Sequence, residues 1–240
     1  MNTEPSKVLL YIMKNNRSLS RTYVWESTTQ RISVKAFSNQ FLWCPRRISV
    51  CAILSTNDDK FLACLRRHSF LFTEIIRTKN IVRKERLLLK HGKFLRKAER
   101  KMLCSEFSML PDDDHDHNDV IFPGGIPLPG EDVISCLSRE IKEETNLDRE
   151  YIYLDSRFFV YASIEDLLID RMFEALLFLG NVNLTSCEIQ SKFSENNEVS
   201  SLEFLDPVSG EGLQCDLVRY VLSISRMKCS GNKGYIKESL

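Results

Sequence analysis

The sequence has no paired cysteines, no long apolar run and no excess of charge of either sign. Its eight cysteines are scattered singly, without a CxxC pair or a Cys/His cluster of zinc-binding spacing, so we expect buried thiols in a reducing compartment rather than disulfides. No stretch approaches the roughly 18 consecutive apolar residues of a membrane-spanning helix, and none resembles a signal peptide. With 43% hydrophobic and 28% charged residues, collagen-like, coiled-coil and wholly disordered classes are excluded.

A net charge of zero hides two oppositely charged segments. The 33 basic and 33 acidic residues cancel over the whole chain. Residues 77–101, however, contain eleven basic and two acidic residues, a net charge of +9, whereas residues 131–150 contain three basic and seven acidic residues, a net charge of −4. The neutral sum therefore does not exclude a polyanionic partner, because the basic segment suits a nucleic-acid backbone and the acidic one a divalent cation.

Strand-like and helix-like patterns alternate along the chain, which predicts an α/β or α+β fold. The basic segment has apolar residues at helical intervals and is predicted to form two amphipathic helices broken near Gly92. An acidic, turn-rich stretch at residues 111–119 follows it, and we interpret its alternating Asp and His residues as a solvated linker rather than a metal site. The other predicted elements are a hairpin at residues 48–54 and 61–65, strands at 151–161, 172–182 and 201–205, and a helix at 213–227.

The N-terminal segment contains an apolar run at residues 8–13 (VLLYIM), followed by basic residues and serines with few acids. Two interpretations remain open. The run is either a short helix packed on the domain or an amphipathic segment that touches a membrane surface, as mitochondrial-type segments do.

Residues 125–147 (GIPLPGEDVISCLSREIKEETNL) carry the chemistry. Their glycines and prolines predict a tight loop that lets the backbone approach a ligand, leading into a helix that starts near Asp132. On that helix Glu140, Glu143 and Glu144 are spaced i, i+3, i+4 and so share one face. An apolar stripe beside them is expected to dock the helix on a sheet.

Three carboxylates on one face raise one another's pKa, a cost that a divalent cation resolves. Hard oxygen ligands favour Mg²⁺ or Mn²⁺, with substrate phosphates completing the coordination. Such an ion polarises a phosphoryl oxygen and activates a water, so the predicted reaction is hydrolysis of a phosphoanhydride. Arg139 is spaced to pair with Glu143. A solvated acidic helix face would also carry glutamates, but it would not need the glycine loop and Glu131 at fixed spacing before them.

The same stretch resembles the Nudix box, which reads G, five residues, E, seven residues, R-E-apolar-x-E-E-x-G-apolar. It matches at every defined position except the last glycine, which is Asn146 here. Asparagine also tolerates a left-handed helix end. The resemblance implies an α/β fold: a Nudix α/β/α sandwich with a mixed sheet, carrying here an inserted basic helical subdomain.

Segments outside the box resemble the poxvirus mRNA-decapping Nudix hydrolases, and most closely the later-expressed of the two decapping enzymes that these viruses carry. The segments are the basic helices and residues 41–44 (FLWC), 66–70 (RRHSF), 74–77 (EIIR), 122–127 (FPGGIP) and 203–207 (EFLDP). The resemblance implies an enzyme that removes the 5′ 7-methylguanosine cap of mRNA, releasing 7-methyl-GDP and 5′-monophosphate RNA and promoting mRNA turnover and host shutoff. It implies capped mRNA as the partner, without DNA or an obligate protein partner. The implied location is the host cytoplasm, with the N-terminal segment as the candidate contact to a mitochondrial or other membrane.

Matched position by position, the resemblance also implies the residues of the site. Glu140, Glu143 and Glu144 are the expected catalytic residues. The expected ligands of Mg²⁺ or Mn²⁺ are Gly125, through its backbone, Glu131, Glu140, Glu144 and, from a loop, Asp166, with Glu165 as the alternative. The sequence does not decide which glutamate is the general base.

Contacts to the cap and to the RNA chain are expected outside the box. A methylated guanine is flat and positively charged, so a selective pocket needs aromatic stacking and an acid on the Watson–Crick edge. The resemblance implies Phe70 and Phe173 for the stacking and Asp166 for the edge, while Gln30 aligns only weakly with an acidic cap contact. The basic insertion is expected to bind RNA phosphates through Arg83, Lys84, Arg96, Lys97, Arg100 and Lys101.

The expected domain organisation is an N-terminal segment (1–32), a Nudix hydrolase domain (33–225) that contains the basic insertion (75–118), and a C-terminal tail (226–240). Two other functions stay open: a pyrophosphatase of free nucleotides and a non-catalytic cap-binding reader of the same fold. The basic insertion argues against a pyrophosphatase of free nucleotides, because a small substrate does not need an extended basic surface. The intact set of carboxylates argues against a non-catalytic reader.

Overall fold

The computed structural model describes residues 6–39, 48–104 and 118–231. The expectations for residues 41–44, for most of the acidic linker and for the end of the C-terminal tail lie outside these ranges. The helices are α1 (Lys7–Asn15), α2 (Phe70–Arg77), α3 (Ile81–His91), α4 (Lys97–Cys104), α5 (Val133–Thr145), α6 (Ser186–Lys192) and α7 (Leu213–Gly231). The strands are β1 (Tyr23–Glu26), β2 (Gln30–Ser38), β3 (Ser49–Ser55), β4 (Phe61–Arg66), β5 (Val120–Ile121), β6 (Gly124–Gly125), β7 (Ile152–Leu154), β8 (Phe158–Asp166), β9 (Arg171–Val182) and β10 (Val199–Leu205).

All of these strands join one mixed sheet with the order β1-β2-β8-β9-β3-β4-β10. Strands β3 and β9 run parallel, and the other neighbours along this order are antiparallel. The short strands β5, β6 and β7 pair with β4, β3 and β9. The sheet thereby brings the glycine loop at β6 next to the parallel pair at its centre.

Helices cover both faces of the sheet. On one face α1, α5 and α6 bury Ile12, Leu137 and Ile189 in a shared apolar cluster with the strands. On the other face α7 buries Val218 and Val221 among residues that include those of β2 and β8. Since a sheet with two apolar faces needs a helical layer on each, the α/β/α sandwich with a mixed sheet is confirmed.

Most of the predicted secondary structure is confirmed, with small shifts of its boundaries. The predicted hairpin corresponds to β3 and β4, and the final helix starts at Leu213 as predicted but runs to Gly231. The single strand predicted over residues 151–161 is wrong. A turn interrupts it, in which Arg157 pairs with Asp155 at 2.6 Å, so β7 and β8 are separate strands.

The N-terminal segment packs on the domain. Ile12 of α1 is buried, and Val8 and Leu9 pack against the same apolar cluster, as the first of the two interpretations proposes. Leu10 and Met13 are about half exposed. None of the described helices is both long and apolar enough to cross a bilayer. The expected boundary after residue 32 falls inside β2, so this segment contributes to the sheet.

The basic insertion has a small core of its own. Helices α2, α3 and α4 bury Leu71, Leu88 and Leu103 in one cluster. Leu168 and Ile169, from the turn between β8 and β9, complete it. The predicted break near Gly92 is confirmed by a 3₁₀ turn at Gly92–Phe94 between α3 and α4. The insertion is therefore anchored to the same turn that carries Asp166.

Candidate active site

The glycine loop is pinned to the centre of the sheet. Gly124 and Gly125 form β6 and lie opposite Cys51 and Val50 of β3. Gly124 has a φ of +148°, and a Cβ there would lie 2.1 Å from the carbonyl oxygen of Val50. Only glycine fits such a backbone, so the loop reaches α5 in one fixed position.

Helix α5 begins and ends as the sequence predicts. Asp132 is the N-cap, and its Oδ1 accepts a hydrogen bond from the backbone N–H of Ser135 at 2.7 Å. Asn146 ends the helix in the left-handed conformation, with φ of 60° and ψ of 21°. Its side-chain amide donates to the carbonyl of Lys192 at 2.9 Å. Asn146 therefore adopts a left-handed conformation that glycine also favours, and its side chain links the end of α5 to α6.

Glu144 lies at the inner side of the predicted acidic face. Its carboxylate is 4% exposed, and Oε2 accepts a hydrogen bond from the backbone N–H of Gly124 at 2.8 Å. Burial raises the pKa of Glu144 to about 8, and the nearby Glu140 and Glu198 add to the rise, whereas the hydrogen bond from Gly124 opposes it. A carboxyl with such a pKa can exchange a proton near neutral pH.

Glu140 lies against the glycine loop. A Cβ at Gly125 would be 2.3 Å from its Oε1, so the carboxylate fills the space that a larger residue would need. Burial raises the pKa of Glu140, with Arg139 acting in the opposite direction. Glu143, the third member of the acidic face, is mostly exposed and pairs with Arg139 at 3.3 Å, as predicted.

Arg139 joins most of the charged groups of the box. Its Nε and Nη2 donate to the two carboxylate oxygens of Glu131 at 2.8 and 3.0 Å, and its Nη1 donates to Glu140 at 2.8 Å. The backbone N–H of Leu128 also donates to Glu131, at 2.8 Å. These contacts lower the pKa of Glu131 to about 2. Both oxygens of Glu131 thus accept hydrogen bonds from Arg139 or the loop, and its role as a metal ligand stays a prediction.

A pocket of about 400 Å³ opens beside Glu144. It is lined by both predicted stacking residues, Phe70 and Phe173, whose ring centroids lie 5.5 Å apart with 35° between the planes. Asp166 also lines it, and Gln30 lies opposite Asp166 in the register of β2 and β8. Residues from four separate parts of the sequence thus meet at one pocket, as the resemblance implies.

The two acids of the β8 end differ in their surroundings. Asp166 is 4% exposed, and its Oδ1 accepts hydrogen bonds from the backbone N–H groups of Leu168 and Ile169 at 2.9 and 3.2 Å. Glu165, the alternative metal ligand, instead pairs with Arg31 at 2.9 Å. The structure therefore favours Asp166 over Glu165 as a pocket residue, and it holds Asp166 by the backbone of the turn.

Two functional candidates escaped the sequence reasoning. Glu198, in the loop before β10, lines the pocket and raises the pKa of both Glu140 and Glu144. Arg66 lines the pocket as well, and its guanidinium carbon lies 3.9 Å from the centroid of the Phe70 ring. No local pattern marks Glu198. Arg66 belongs to the segment 66–70 (RRHSF) that carries the resemblance, four residues before Phe70.

Of the six basic residues expected to bind RNA, Arg100 is buried, and Arg83 and Arg96 are partly buried in contacts within the protein. Arg100 is 4% exposed and donates to the carbonyl of Leu95 at 2.8 Å. Arg96 donates to the carbonyls of Arg66 and Arg67 at 2.7 and 3.0 Å. Arg83 donates to the carbonyl of Ile169 at 2.9 Å and pairs with Glu74 at 3.1 Å. These arginines hold the insertion together, because a guanidinium can satisfy several carbonyls at once.

The other basic residues of the insertion lie at or near its surface. Lys84 is partly exposed, and Lys97 and Lys101 are exposed. The exposed cations outside the expected set are Arg77, Lys79, Arg86, Lys90 and Lys93. A positively charged surface therefore exists, although its members differ in part from the predicted ones.

The predicted metal ligands come together only in part. Among the described residues no three His, Cys, Asp or Glu side chains form a complete ligand set. The carboxylate of Glu140 lies against Gly125, and that of Glu144 is bound by the N–H of Gly124, so both flank the glycine loop. Carboxylates suit a Mg²⁺-like ion, which keeps several ligand positions for water and phosphate.

The glycine loop on β3, the acidic face of α5 and the α/β/α sandwich define a Nudix domain. The family model described as "NUDIX domain" matches residues 94–209, and the one described as "Viral D10 N-terminal" matches residues 2–44. Solved structures similar in outline include the Bacillus subtilis pyrophosphohydrolase BsRppH, with a TM-score of 0.41, 14% identity and coverage of 90% of this chain and 99% of that one. A C. elegans Ap4A hydrolase gives a TM-score of 0.40 at 11% identity, with 78% and 99% covered.

Similarity to viral proteins is much higher. The mRNA-decapping protein OPG122 of Vaccinia virus (strain Copenhagen) is 48% identical over 241 residues, covering 100% of this chain and 97% of the relative. The mRNA-decapping protein D10 of Fowlpox virus (strain NVSL) is 36% identical, with 90% and 97% covered. The chain belongs to the poxvirus mRNA-decapping family of Nudix proteins.

Proposed function

We infer that this chain is a metal-dependent hydrolase that removes the 5′ 7-methylguanosine cap of mRNA, releasing 7-methyl-GDP and 5′-monophosphate RNA. The inference rests on the composition of one pocket. Its lining contains both the aromatic pair Phe70 and Phe173 and the carboxylate of Glu144. The aromatic pair suits a flat, positively charged base, and the carboxylate suits the reaction at a phosphoanhydride. Loss of the cap promotes mRNA turnover and, in an infected cell, host shutoff.

The base of the cap is the part that the aromatic end of the pocket would recognise. Stacking on Phe70 and Phe173 favours a methylated guanine, because its positive charge is attracted to the ring faces. The buried carboxylate of Asp166 would accept hydrogen bonds from the Watson–Crick edge. Arg66, which lines the pocket, contacts the Phe70 ring and lowers the pKa of Glu144, would supply positive charge for the phosphate bridge.

The carboxylate end of the pocket would carry the hydrolysis. We propose that Glu140, Glu144 and the carbonyl of Gly125 hold Mg²⁺ or Mn²⁺ together with substrate phosphates. The bound ion would neutralise phosphate charge and lower the pKa of a water. Glu144 is our choice of general base, because its buried carboxylate lines the pocket and is held in place by the backbone N–H of Gly124 at 2.8 Å. The exposed Glu143 then acts by holding Arg139 rather than by touching substrate.

We propose further that the basic insertion binds the RNA chain. The exposed Lys97 and Lys101, together with the partly exposed Lys84, can neutralise backbone phosphates without reading sequence. In this organisation the insertion (75–118) lies within a hydrolase domain (33–225). The N-terminal segment (1–32) adds an edge strand to the sheet, and α7 runs into the first residues of the C-terminal tail (226–240), as far as Gly231.

The finer assignment within the family is also a proposal. The residues of this chain favour the later-expressed of the two viral decapping enzymes, acting in the host cytoplasm on capped mRNA, with neither DNA nor an obligate protein partner. The half-exposed Leu10 and Met13 of α1 support a peripheral contact with a mitochondrial or other membrane. Replacing both by serine should release the protein from the membrane fraction while leaving decapping unchanged; unchanged fractionation would rule the contact out.

A single assay separates the candidate functions. Purified protein is incubated with cap-labelled RNA and Mg²⁺ or Mn²⁺, and the products are resolved. Release of 7-methyl-GDP that is lost in Glu144→Gln supports decapping. Cap binding without product would instead indicate a non-catalytic reader, and cleavage of free nucleotides alone would indicate a nucleotide pyrophosphatase.

A further inference from the structure

One carboxylate of the basic insertion reaches the start of the helix that carries Phe70. Glu99 of α4 is 2% exposed. Its Oε1 accepts a hydrogen bond from the backbone N–H of Ser69 at 2.6 Å, and its Oε2 accepts one from the hydroxyl of Ser69 at 2.8 Å. The backbone N–H of Arg96 also donates to Oε2, at 3.1 Å. A buried carboxylate with three donors is held in a single position.

Ser69 passes this constraint to α2. Its hydroxyl caps the helix by accepting from the backbone N–H of Phe72 at 3.0 Å. Phe70 is the first residue of α2, and its own N–H donates to Oδ2 of Asp119 at 2.7 Å. The free N–H groups at a helix start and the positive end of its dipole both favour carboxylates there. Glu99 and Asp119 therefore fix the backbone at the start of α2, which carries the side chain of Phe70.

The position of that ring decides whether a base can enter. Phe173 stands on β9, within the sheet, whereas Phe70 stands on a helix of only eight residues. A base between two rings needs a spacing of about 7 Å, twice the carbon–carbon contact distance. The ring centroids are 5.5 Å apart, so the gap must widen slightly on binding. A small displacement of the start of α2 changes this gap directly.

We propose that Glu99 is a positioning residue for cap recognition. It acts through Ser69 to fix the start of α2, and so limits how far the Phe70 ring can move from Phe173 when a methylated base enters between the two rings. The basic insertion thereby takes part in reading the cap as well as in binding the RNA chain. The proposal rests on the decapping function inferred above.

The test uses the full-length protein with Glu99→Gln. The change keeps the size of the side chain but replaces one accepting oxygen with an NH₂ group, which cannot accept a hydrogen bond. Affinities for 7-methyl-GDP and for GDP are measured by titration calorimetry, and KM and kcat are measured on capped RNA. We expect about tenfold weaker binding of 7-methyl-GDP, the effect of a lost hydrogen bond to a charged group. GDP binding should change little, KM should rise in parallel, and kcat should stay within about twofold. The matched control is Glu85→Gln, an exposed acid on α3, which should alter none of these values.

A double-mutant cycle with Phe70→Ala shows whether Glu99 acts through that ring. Adding Glu99→Gln to Phe70→Ala should cause no further loss of 7-methyl-GDP affinity; fully additive losses would overturn the proposal. If Glu99→Gln does not fold, Ser69→Ala is used instead. We expect it to reduce the preference for 7-methyl-GDP over GDP by a smaller amount. An unchanged ratio of these two affinities would count against the proposal. If the wild-type protein releases no 7-methyl-GDP, the decapping function itself is overturned. If the wild type is active and Glu99→Gln prefers 7-methyl-GDP over GDP as strongly as the wild type does, only the role of Glu99 is overturned.

Discussion

Arg139 and Glu131 form a two-pronged ion pair, with Nε 2.8 Å from Oε1 and Nη2 3.0 Å from Oε2. The pair ties the loop before α5 to the middle of that helix. Nη1 of the same arginine donates to Glu140 at 2.8 Å, so one guanidinium links the loop acid to the acidic face of α5. Glu140 and Glu144 lie beside the glycine backbone.

The first prediction concerns Glu131→Gln. A neutral side chain loses much of its attraction to Arg139, so the loop loosens and activity on capped RNA should fall about 10- to 100-fold, the range for a residue that orients others at a metal site. The affinity for Mn²⁺, measured by calorimetry in the absence of substrate, should fall much less than the activity does, because Glu131 does not contact the ion in this arrangement. A large loss of Mn²⁺ affinity would instead identify Glu131 as a direct ligand.

The second prediction concerns Glu144→Gln. As the proposed base at the reacting water, its loss should lower kcat by about 10²- to 10⁴-fold, measured as release of 7-methyl-GDP. Binding of 7-methyl-GDP should be retained, because the aromatic end of the pocket is untouched. Residual activity within tenfold of wild type would assign the base to another residue.

The third prediction is a pH effect on the metal-free protein. Burial raises the pKa of Glu144 from the usual carboxyl range to about 8, so the folded state holds this proton more tightly than the unfolded state. Its contribution to stability is therefore fully present below about pH 4.5 and is lost as the pH rises through 8. In a chelating buffer at pH 8.5, Glu144→Gln should have a higher Tm than wild type.

The same variant supplies the internal control for that measurement. Below pH 4.5, where the carboxyl of wild type is protonated in both states, the two Tm values should converge. An equal difference in Tm at both pH values would show that packing, rather than ionisation, distinguishes the two proteins.

The fourth prediction tests the close approach of the glycine loop. Gly125→Ala would place a methyl group 2.3 Å from Oε1 of Glu140, so the carboxylate must move. A shift of about 1 Å in a reacting group can cost about 10²-fold in rate, and we expect a kcat loss of that order with little change in Tm. Gly130→Asn is the matched control, since no atom lies within 4 Å of a Cβ there; the φ of +88° should lower its Tm somewhat, but kcat should be retained.

The fifth prediction addresses the charged surface of the insertion. Reversing Lys97 and Lys101 to glutamate should weaken turnover of capped RNA and flatten its salt dependence, because fewer counterions are released. Hydrolysis of a small cap analogue should be spared. Reversing Lys7 and Lys14, two exposed lysines of α1, controls for overall charge. Equal loss on RNA and on the analogue would argue against an RNA track.

The helix of the Nudix box could be predicted almost completely because its determinants are local. The cap at Asp132, the left-handed end at Asn146 and the shared face of Glu140, Glu143 and Glu144 all follow from spacing along one helix. Phe70, Phe173 and Asp166 were reached by resemblance, and the sheet then brought them to one pocket. Their roles in binding stay predictions.

What the chain by itself determined was therefore the class of fold, the reaction and the helix that carries the carboxylates. Only the tertiary structure decided which charges are available. It buried Arg100 against a carbonyl, occupied Glu131 with Arg139, and brought Glu198 to the active site from a distant loop. The physical reason is that desolvation and pairing depend on neighbours far away in the sequence, whereas helical spacing depends on neighbours a few residues apart.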